Sequence, residues 1–323
     1  MPRAEGLTVV VLGATGYLGR RLCESFTGQG ARVRPVSRGA TGPEAVRLDV
    51  LTAWPEELAR VLGSDGVDVV VNAAGRAWAA DERQMAEGNA RLVARITQAL
   101  AGLDRAPRLV QLGSVHEYGA GTPGTATTED QPAAPVTPYG RTKLQGSQEV
   151  LRAARESGVD GVVLRLANVV GAGAPAGSLF GKVADHLAEA ARTRALGGTP
   201  AELRLPPLRT RRDLVDLADT VDAVLAAATA PADLVRGQVI NVGGGRAVPM
   251  REPVDRMVAL SGLPVPVAEA APTPPLRADV EWQLLDITRA RRLLGWRPRR
   301  TLDDSLRDLL AAAMPHAYGR TAP

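Results

Sequence analysis

The chain has 323 residues, 45% of them hydrophobic and 23% charged, a composition that fits a folded globular protein and excludes a disordered one. The net charge of +4 is spread along the chain and aromatic residues make up only 3%, so no nucleic-acid partner is expected. No apolar run is long enough to cross a membrane, and no signal-peptide core precedes the first predicted strand. Three histidines and one cysteine, without ligand spacing, predict no metal site. We therefore expect a cytoplasmic protein.

Short apolar runs alternate with helical patterns in the first half of the chain. Strands are predicted at residues 8–12, 32–36, 67–72, 108–113 and 161–167, and helices at residues 17–27, 55–62, 81–101 and 138–156. This alternation predicts βαβ units and a mostly parallel sheet with helices on both faces. The predicted fold class is α/β, a Rossmann-type doubly wound parallel sheet with a smaller C-terminal substrate-binding lobe.

The rhythm changes after residue 167, where Gly- and Pro-rich pieces separate shorter elements. Residues 213–228 predict a strand edge followed by a helix, and residues 238–242 another strand; we expect this stretch to return to the main sheet. The predicted domains are a dinucleotide-binding Rossmann domain (residues 1–167 with 213–242) and a substrate-binding lobe (residues 168–212 with 243–323).

A glycine-rich turn follows the first predicted strand and leads directly into a helix. Glycines allow a tight turn and a close approach to a pyrophosphate, which the helix N-terminus then faces. The spacing is G-x-x-G-x-x-G rather than G-x-G-x-x-G, but its place after the first strand favours a dinucleotide site over a plain βα turn. The residues predicted to bind the cofactor here are Gly13, Thr15, Gly16, Tyr17, Leu18 and Gly19.

The end of the second strand should lie beside the adenosine ribose of the cofactor. An NAD site usually has an acid there, whereas an NADP site offers an arginine to the 2′-phosphate. This chain has Ser37-Arg38 and no acid, which favours NADP(H) over NAD(H); a solvent-facing arginine is the alternative. Asp49, with Val50, is placed to meet the adenine.

Small residues follow the strand predicted at 67–72, where the cofactor ribose must pass. The further predicted cofactor contacts are Asn72, Ala73, Ala74, Gly75, Asn89, Lys143 and Leu166.

Tyr139 and Lys143 lie four residues apart on the helix predicted at 138–156, so their side chains share one face. A neighbouring ammonium favours the phenolate, so we expect it to lower the pKa of Tyr139 from about 10 and make the phenol a usable acid/base. Ser114, at the C-terminal end of the strand predicted at 108–113, lies where ligands bind in such sheets and can hydrogen-bond a substrate oxygen. Together they predict a site for hydride transfer.

These motifs resemble the extended short-chain dehydrogenases/reductases, specifically the NAD(P)-dependent sugar epimerase/dehydratase family. The segments that carry the resemblance are GATGYLG, LGSVHEYG, YGRTK, LRLANVVGAG (164–173), RRDLVDLAD (211–219), INVGGG (240–245) and DITRARRLLGWRPRRTLDDSL (286–306), together with Asp49 and Asn72. The resemblance covers essentially the whole chain. It implies a catalytic triad of Ser114, Tyr139 and Lys143.

The same resemblance implies how a nucleotide sugar is held. Asn168 would contact the substrate phosphate region, and Arg212 with Arg277 would clamp the nucleotide diphosphate, for which bidentate guanidinium groups are well suited. A solvated surface charge is the alternative for both arginines. His116, beside the site, is either a contact to the sugar or a packed histidine. In related proteins the helices at 81–101 and 138–156 form a dimer interface, so we expect a homodimer.

The residues after Ser114 discriminate between the reactions of this family. Dehydratases of the family have an Asp-Glu pair there for proton removal, whereas this chain has Val115 and His116, and valine cannot take a proton. Glu117, one place later, is expected to point away from the position that the acid needs. Dehydration is therefore not expected.

The remaining reactions are ketone reduction and epimerisation. Arg38 favours an exchangeable NADPH and hence a reductase, most like the nucleotide-linked 4-keto-6-deoxyhexose 4-ketoreductases. We expect reduction of a dTDP-linked 4-keto-6-deoxy sugar to the 4-hydroxy sugar, in deoxysugar biosynthesis for a natural product such as an antibiotic. The alternatives are an NAD-dependent 4-epimerase and a non-catalytic redox sensor.

Overall fold

The computed structural model describes residues 4–64, 66–77, 80–271 and 281–315. The strands, in chain order, are β1 Thr8–Leu12, β2 Arg32–Ser37, β3 Val46–Arg47, β4 Val67–Asn72, β5 Arg108–Ser114, β6 Gly161–Leu166, β7 Asn168–Val170, β8 Leu203–Leu205, β9 Arg211–Asp216, β10 Val239–Val242, β11 Ala247–Pro249 and β12 Val267–Glu269. The α-helices are α1 Tyr17–Gly28, α2 Pro55–Leu62, α3 Glu82–Ala86, α4 Leu92–Ala101, α5 Pro138–Glu156, α6 Leu179–Ala195, α7 Leu217–Thr229, α8 Ala232–Val235, α9 Arg251–Ser261, α10 Thr288–Leu294 and α11 Leu302–Ala313.

The main sheet has seven strands in the order β10-β6-β5-β4-β1-β2-β3, and every neighbouring pair is parallel. The strand order reverses between β1 and β4. In sheets of this kind the crevice at the reversal, outside the carboxyl ends of the strands, is where ligands bind. The Rossmann-type doubly wound sheet predicted from the sequence is confirmed.

Both faces of the main sheet are covered, which is why its strands are apolar throughout. One hydrophobic cluster packs Leu22 and Phe26 of α1 together with α7 against the sheet. A second cluster packs α2, α4 and α5 against the other face, with Leu58 and Ile96 completely buried. The sheet is thereby held rigidly, and so are the loops at its carboxyl ends.

The helix predicted at residues 81–101 is interrupted by a π-helical turn, Glu87–Arg91, between α3 and α4. Asp81 caps the start of this unit: its side chain accepts a 2.8 Å hydrogen bond from the backbone N–H of Gln84. The side chain of Gln84 in turn accepts a 3.1 Å hydrogen bond from the backbone N–H of Asp81. Such turns often mark functional positions in helices. The turn contains Asn89, one of the predicted cofactor contacts.

The C-terminal region has a core of its own, built from α6, α9, α11 and the short strands β8 and β9. β10 joins the main sheet as expected, but β9 pairs with β7 and β11 in a separate three-stranded sheet. Within the stretch 213–242, the expected return to the main sheet therefore applies to β10 and to α7, which packs against the sheet, but not to β9. Leu285, Ile287 and Trp296 pack into a main-sheet cluster, although the sequence prediction assigned them to the lobe.

In the part of the chain that the structure describes, no helix combines the length and apolar character of a membrane span. The two-domain division and the homodimer stay predictions.

Candidate active site

Ser114 is the last residue of β5 and faces the crevice at the carboxyl ends of the strands. A 3₁₀-helical turn, Val115–Glu117, follows it, and the hydroxyl of Ser114 accepts a 3.3 Å hydrogen bond from the backbone N–H of His116. The chain is thus turned sharply at the point where the predicted catalytic serine stands.

α5 begins beside this turn and brings in the other two predicted catalytic residues. Thr137 caps the helix by accepting a 3.1 Å hydrogen bond from the N–H of Gly140, and Pro138 suits the first turn. The hydroxyl of Tyr139 is hydrogen-bonded to Ser114. Lys143, one turn later, is buried and donates to the backbone carbonyl of Leu112. Ser114 and Tyr139 are thus brought together, with Lys143 one helical turn away; their catalytic roles stay a prediction.

The protein environment shifts the pKa of both titratable groups. Burial raises the pKa of Tyr139 to about 12, against a smaller lowering by the Ser114 hydrogen bond. Burial also lowers the pKa of Lys143. The expectation that Lys143 lowers the pKa of Tyr139 is therefore wrong for this structure: burial dominates, and the ammonium donates to Leu112 instead. The phenol is protonated at neutral pH.

His116 lies against Tyr139, with ring centroids 5.7 Å apart in an edge-to-face arrangement. Burial and, to a smaller extent, the positive charge of Arg212 lower the pKa of His116 to about 4. The imidazole is accordingly neutral at neutral pH. Arg212, on β9, thus lies within electrostatic reach of the triad, where a substrate phosphate was expected.

Glu117 points into the protein rather than into the crevice, as predicted. It is completely buried, and its Oε2 lies 2.7 Å from Nε of Arg165 on β6. The residues following Ser114 therefore present Val115 and a neutral His116, and no carboxylate placed to remove a proton from a substrate.

The glycine-rich turn after β1 is a cradle that larger residues would fill. Gly13 has φ of +76°, and a Cβ there would lie 2.7 Å from the backbone nitrogen of Ala74. A Cβ on Gly19 would lie 2.1 Å from the carbonyl oxygen of Gly13. Gly16 caps α1, whose first turn contains no acidic residue. These features fit a bound pyrophosphate at the helix N-terminus.

Three more of the residues predicted to bind the cofactor lie at this turn and at the start of α1. Thr15 is exposed, and Leu18 packs against the core beneath. The hydroxyl of Tyr17 donates a 3.3 Å hydrogen bond to the carbonyl of Gly171, and burial raises its pKa. Tyr17 thus joins the loop to the segment that follows β7.

The carboxyl end of β2 fits the adenosine end of a dinucleotide. Ser37 is buried, and its Oγ finds no hydrogen-bond partner among the described residues. Arg38 next to it is exposed, so its guanidinium is available to an anion. Asp49 accepts a 3.1 Å hydrogen bond from the N–H of Leu51, which shapes the turn that contains buried Val50. A buried orphaned hydroxyl is costly, and a ligand hydroxyl or phosphate would satisfy it.

The loop after β4 is held by two asparagines. Asn72 is buried. Its amide nitrogen donates a 2.8 Å hydrogen bond to Oε1 of Gln111, and its amide oxygen accepts a 3.2 Å hydrogen bond from the N–H of Ala74. Asn89 accepts from the N–H of Arg76 at 2.9 Å and donates to its carbonyl at 2.8 Å.

A Cβ on Gly75 would lie 2.9 Å from Oδ1 of Asn89, so the loop passes close to the π-helical turn. Ala73 and Ala74 give this loop short side chains. Both asparagine amides are engaged by protein groups, and their direct contact with a cofactor stays a prediction, as does that of Leu166 at the buried end of β6.

Asn168 begins β7 and donates to the carbonyl of Asp213 at 3.1 Å and to Oε1 of Gln283 at 3.2 Å. Gln283 is buried, and its Nε2 has no partner within the part of the chain that is described. Sequence reasoning missed Gln283, which is 115 residues from Asn168 along the chain. Arg277 lies outside the described residues.

A comparison with protein-family models matches residues 9–243 to the NAD dependent epimerase/dehydratase family. A dTDP-6-deoxy-L-talose 4-dehydrogenase (NAD(P)(+)) of Kitasatospora kifunensis is 43% identical over 315 residues, covering 96% of this chain and 97% of that protein. A UDP-glucose 4-epimerase of Azospirillum brasilense is 29% identical over 331 residues, covering 94% of this chain and 91% of that protein.

Among solved structures, the UDP-glucuronic acid 4-epimerase of Bacillus cereus, in complex with UDP-glucuronic acid and NAD, superposes with a TM-score of 0.81 at 20% identity. The match covers 95% of this chain and 99% of that chain.

Proposed function

The chain belongs to the NAD dependent epimerase/dehydratase family, and on that premise we propose that it is an NADPH-dependent reductase of a nucleotide-linked 4-keto-6-deoxy sugar. The product is the corresponding 4-hydroxy sugar. The observation that carries this proposal is the assembly of Ser114, Tyr139 and Lys143 at the crevice, with the phenol hydrogen-bonded to the serine.

Each of the three residues has a distinct part in ketone reduction. Ser114 donates a hydrogen bond to the keto oxygen and polarises the carbonyl. Tyr139, whose burial keeps the phenol protonated, delivers the proton to that oxygen as it becomes a hydroxyl. Lys143 holds the ribose of the cofactor through its ammonium group.

The cradle of glycines and the orphaned hydroxyl of Ser37 fit a nicotinamide dinucleotide. When bound, it supplies the hydride that reduces the keto carbon. Exposed Arg38 beside Ser37 supports NADP(H) over NAD(H), because a guanidinium can pair with the 2′-phosphate. An NADPH that exchanges at each turnover suits a reductase.

The substrate class follows from the site and from the relatives. The Kitasatospora enzyme is named for a dTDP-6-deoxy sugar and for redox chemistry at the 4-position; our proposal gives this chain the same pair of sugars, run in the direction of reduction. Arg212 and Asn168 are the residues proposed to hold the nucleotide diphosphate, with Arg277. Such a product suits the biosynthesis of a deoxysugar for a natural product.

Dehydration is not proposed, because Val115 is buried and Glu117 is paired with Arg165 in the interior. Neither side chain can remove a proton from a bound sugar.

Purified protein mixed with a dTDP-4-keto-6-deoxyhexose and NADPH tests the proposal. We expect the absorbance band of the reduced nicotinamide to disappear with one equivalent of 4-hydroxy sugar formed for each cofactor oxidised. No loss of absorbance across several such substrates would contradict the proposal. NAD that stays bound through purification, with UDP-glucose converted to its 4-epimer, would instead indicate an epimerase.

A further inference from the structure

The turn after β5 contains a carboxylate that the roles proposed above do not use. Glu117 is completely buried and lies 2.7 Å from Nε of Arg165 through its Oε2. Its Oε1 accepts a 2.8 Å hydrogen bond from the backbone N–H of Ser114. A buried carboxylate is costly unless it is paired and hydrogen-bonded, and this one is both. The ion pair lies directly behind the serine of the triad.

The surroundings of the pair are shaped to hold it. A Cβ on Gly113 would lie 2.7 Å from Oε1 of Glu117, so only glycine leaves the carboxylate its place. The guanidinium of Arg165 lies over the ring of Tyr118, 4.3 Å from its centroid. The hydroxyl of Tyr118 in turn donates at 2.8 Å to Oδ1 of Asn241. Both partners are therefore fixed from several sides.

The pair also belongs to the electrostatic environment of the phenol. His116 and Glu117 in the turn after β5 act next to Tyr139, and Lys143 lies one turn along its own helix. Two arginines act on these neighbours: Arg165 on β6 pairs with Glu117, and Arg212 on β9 affects His116. Glu117 raises the pKa of both Tyr139 and Lys143. His116 is neutral at neutral pH, as described above.

We infer that Glu117 and Arg165 are positioning residues of the active site. Glu117 fixes the backbone of Ser114 through its N–H, and Arg165 neutralises and orients the carboxylate. Glu117 also raises the pKa of Tyr139, in the same direction as burial, and that of Lys143, against burial. A protonated phenol and a charged ammonium are the two states that reduction of a ketone requires. This inference rests on the proposed function, since it assigns Tyr139 the role of acid.

The test compares Glu117→Gln, Arg165→Met and the double variant in the oxidation of the 4-hydroxy sugar, where Tyr139 acts as a base. The apparent pKa of the pH–rate profile reports the phenol. Glu117→Gln leaves the positive charge of Arg165, so we expect the apparent pKa to fall by about one unit. Arg165→Met leaves the negative charge, so we expect a rise of about one unit.

The double variant removes both charges and leaves no unpaired buried ion, so it folds even where a single variant does not. We expect its apparent pKa to lie between those of the two single variants. Its kcat should fall about tenfold with unchanged KM, because Ser114 loses a charge-assisted hydrogen bond.

Asp160→Asn is the matched control. Asp160 pairs with Arg108 at 2.9 Å, at the opposite ends of the same two strands, so it disturbs a half-buried ion pair far from Tyr139. We expect lower stability and an unchanged pH–rate profile. If Glu117 has a purely structural role, Glu117→Gln will also show lower stability with an unchanged pH–rate profile, which would overturn the inference. An unchanged kcat in the double variant would overturn it as well.

An ultraviolet titration of tyrosinate separates failure of this inference from failure of the proposed function. The trace of Tyr139, obtained by subtracting that of a Tyr139→Phe variant, needs no turnover. If the protein reduces no sugar but the titration pKa of Tyr139 shifts in opposite directions in the two single variants, the positioning pair is supported and the proposed function is rejected. Coincident traces in all variants would reject the positioning pair alone.

Discussion

Burial disfavours the charged form of a side chain, which is the deprotonated phenolate of Tyr139 but the protonated ammonium of Lys143. It therefore shifts the two pKa values in opposite directions. The pKa of Tyr139 rises to about 12, whereas that of Lys143 falls. A phenol with a raised pKa is a proton donor throughout the neutral range. A protonated phenol suits the proposed reduction.

The direction of this shift predicts opposite pH dependences for the two directions of the reaction. Reduction needs the protonated phenol, so its rate should stay level from about pH 6 to 10, an interval that lies below the pKa of Tyr139. Oxidation needs the phenolate and should rise with pH over the same interval. Initial rates in both directions between about pH 6 and 10 check this. A reduction rate that falls from neutral pH upward would contradict it.

Replacing the phenol tests its role as the proton donor. In Tyr139→Phe we expect kcat for reduction to fall by about 10²- to 10⁴-fold, the usual contribution of general acid catalysis. The Kd of NADPH should remain within about twofold, because the hydroxyl contacts Ser114 rather than the glycine cradle. Titration of cofactor fluorescence measures the second quantity. Unimpaired turnover would point to another proton donor.

Arg38 decides the proposed cofactor preference. In Arg38→Ala we expect the Kd of NADPH to rise roughly 10- to 100-fold through loss of a charged hydrogen bond to the 2′-phosphate. The Kd of NADH should be unchanged. Arg21→Ala is the control, an exposed arginine on α1 that pairs with Glu24. Equal losses for both cofactors would show that Arg38 does not read the phosphate.

The sequence predicted the triad because its members belong to local motifs at the ends of predicted elements. It did not predict the partner of Glu117 or the place of Gln283, since these depend on contacts across 48 and 115 residues of chain. One signal was present: Arg165 stands in the apolar run GVVLRL, and a charge in a buried strand requires a buried counter-ion. Nothing local indicated which acid it would be.

At the scale of elements, the β1–α1 turn depends on the absence of side chains. The helix can approach the strand only because Gly19 lets the carbonyl of Gly13 come within 2.1 Å of where a Cβ would be. A methyl group there would push α1 outward and open the cradle.

Two glycines of α1 therefore predict opposite results. Gly19→Ala should abolish measurable cofactor binding and lower the free energy of unfolding by about 1–3 kcal/mol, through overpacking. In Gly28→Ala no atom of the described chain lies within 4 Å of the new Cβ. That variant should bind cofactor normally and gain up to about 1 kcal/mol. Calorimetric titration and urea denaturation check both variants. Normal cofactor binding by Gly19→Ala would exclude the proposed cradle.

Elements with strong apolar periodicity were predictable nearly to their ends. The π-helical turn at Glu87–Arg91 was not, because it arises where Asn89 clamps the backbone of Arg76 on another loop. The small sheet of β7, β9 and β11 was not predictable either, since β7 and β11 have only three residues each, too short for a recognisable pattern.

At the scale of the whole molecule, Asp213 ties distant parts of the chain together. Its buried carboxylate accepts from the N–H of Gly244 at 2.8 Å and from that of Leu285 at 3.0 Å. The loop after β10 and the segment before α10 thereby meet at β9, next to Arg212. Burial raises the pKa of Asp213 from 3.8 to about 6, in spite of these hydrogen bonds.

This shift predicts a pH-dependent stability. Because the folded-state pKa lies above the unfolded one, the contribution of Asp213 is fully present below about pH 4 and is lost as pH rises through about 6. The loss is on the order of 3 kcal/mol. Urea denaturation of the wild type and of Asp213→Asn between pH 4 and 7.5 should therefore show a difference in free energy of unfolding that changes by about that amount. Asp233→Asn, at an exposed carboxylate, is the control; a difference independent of pH would contradict the prediction.

Transfer of deuterium from NADPH labelled at the transferable position tests the central claim of this account most directly. With a dTDP-4-keto-6-deoxyhexose, we predict that mass spectrometry finds the deuterium in the released 4-hydroxy sugar and that the oxidised cofactor is free in solution. Recovery of the 4-keto sugar unreduced, with the deuterium still in the cofactor, would contradict it.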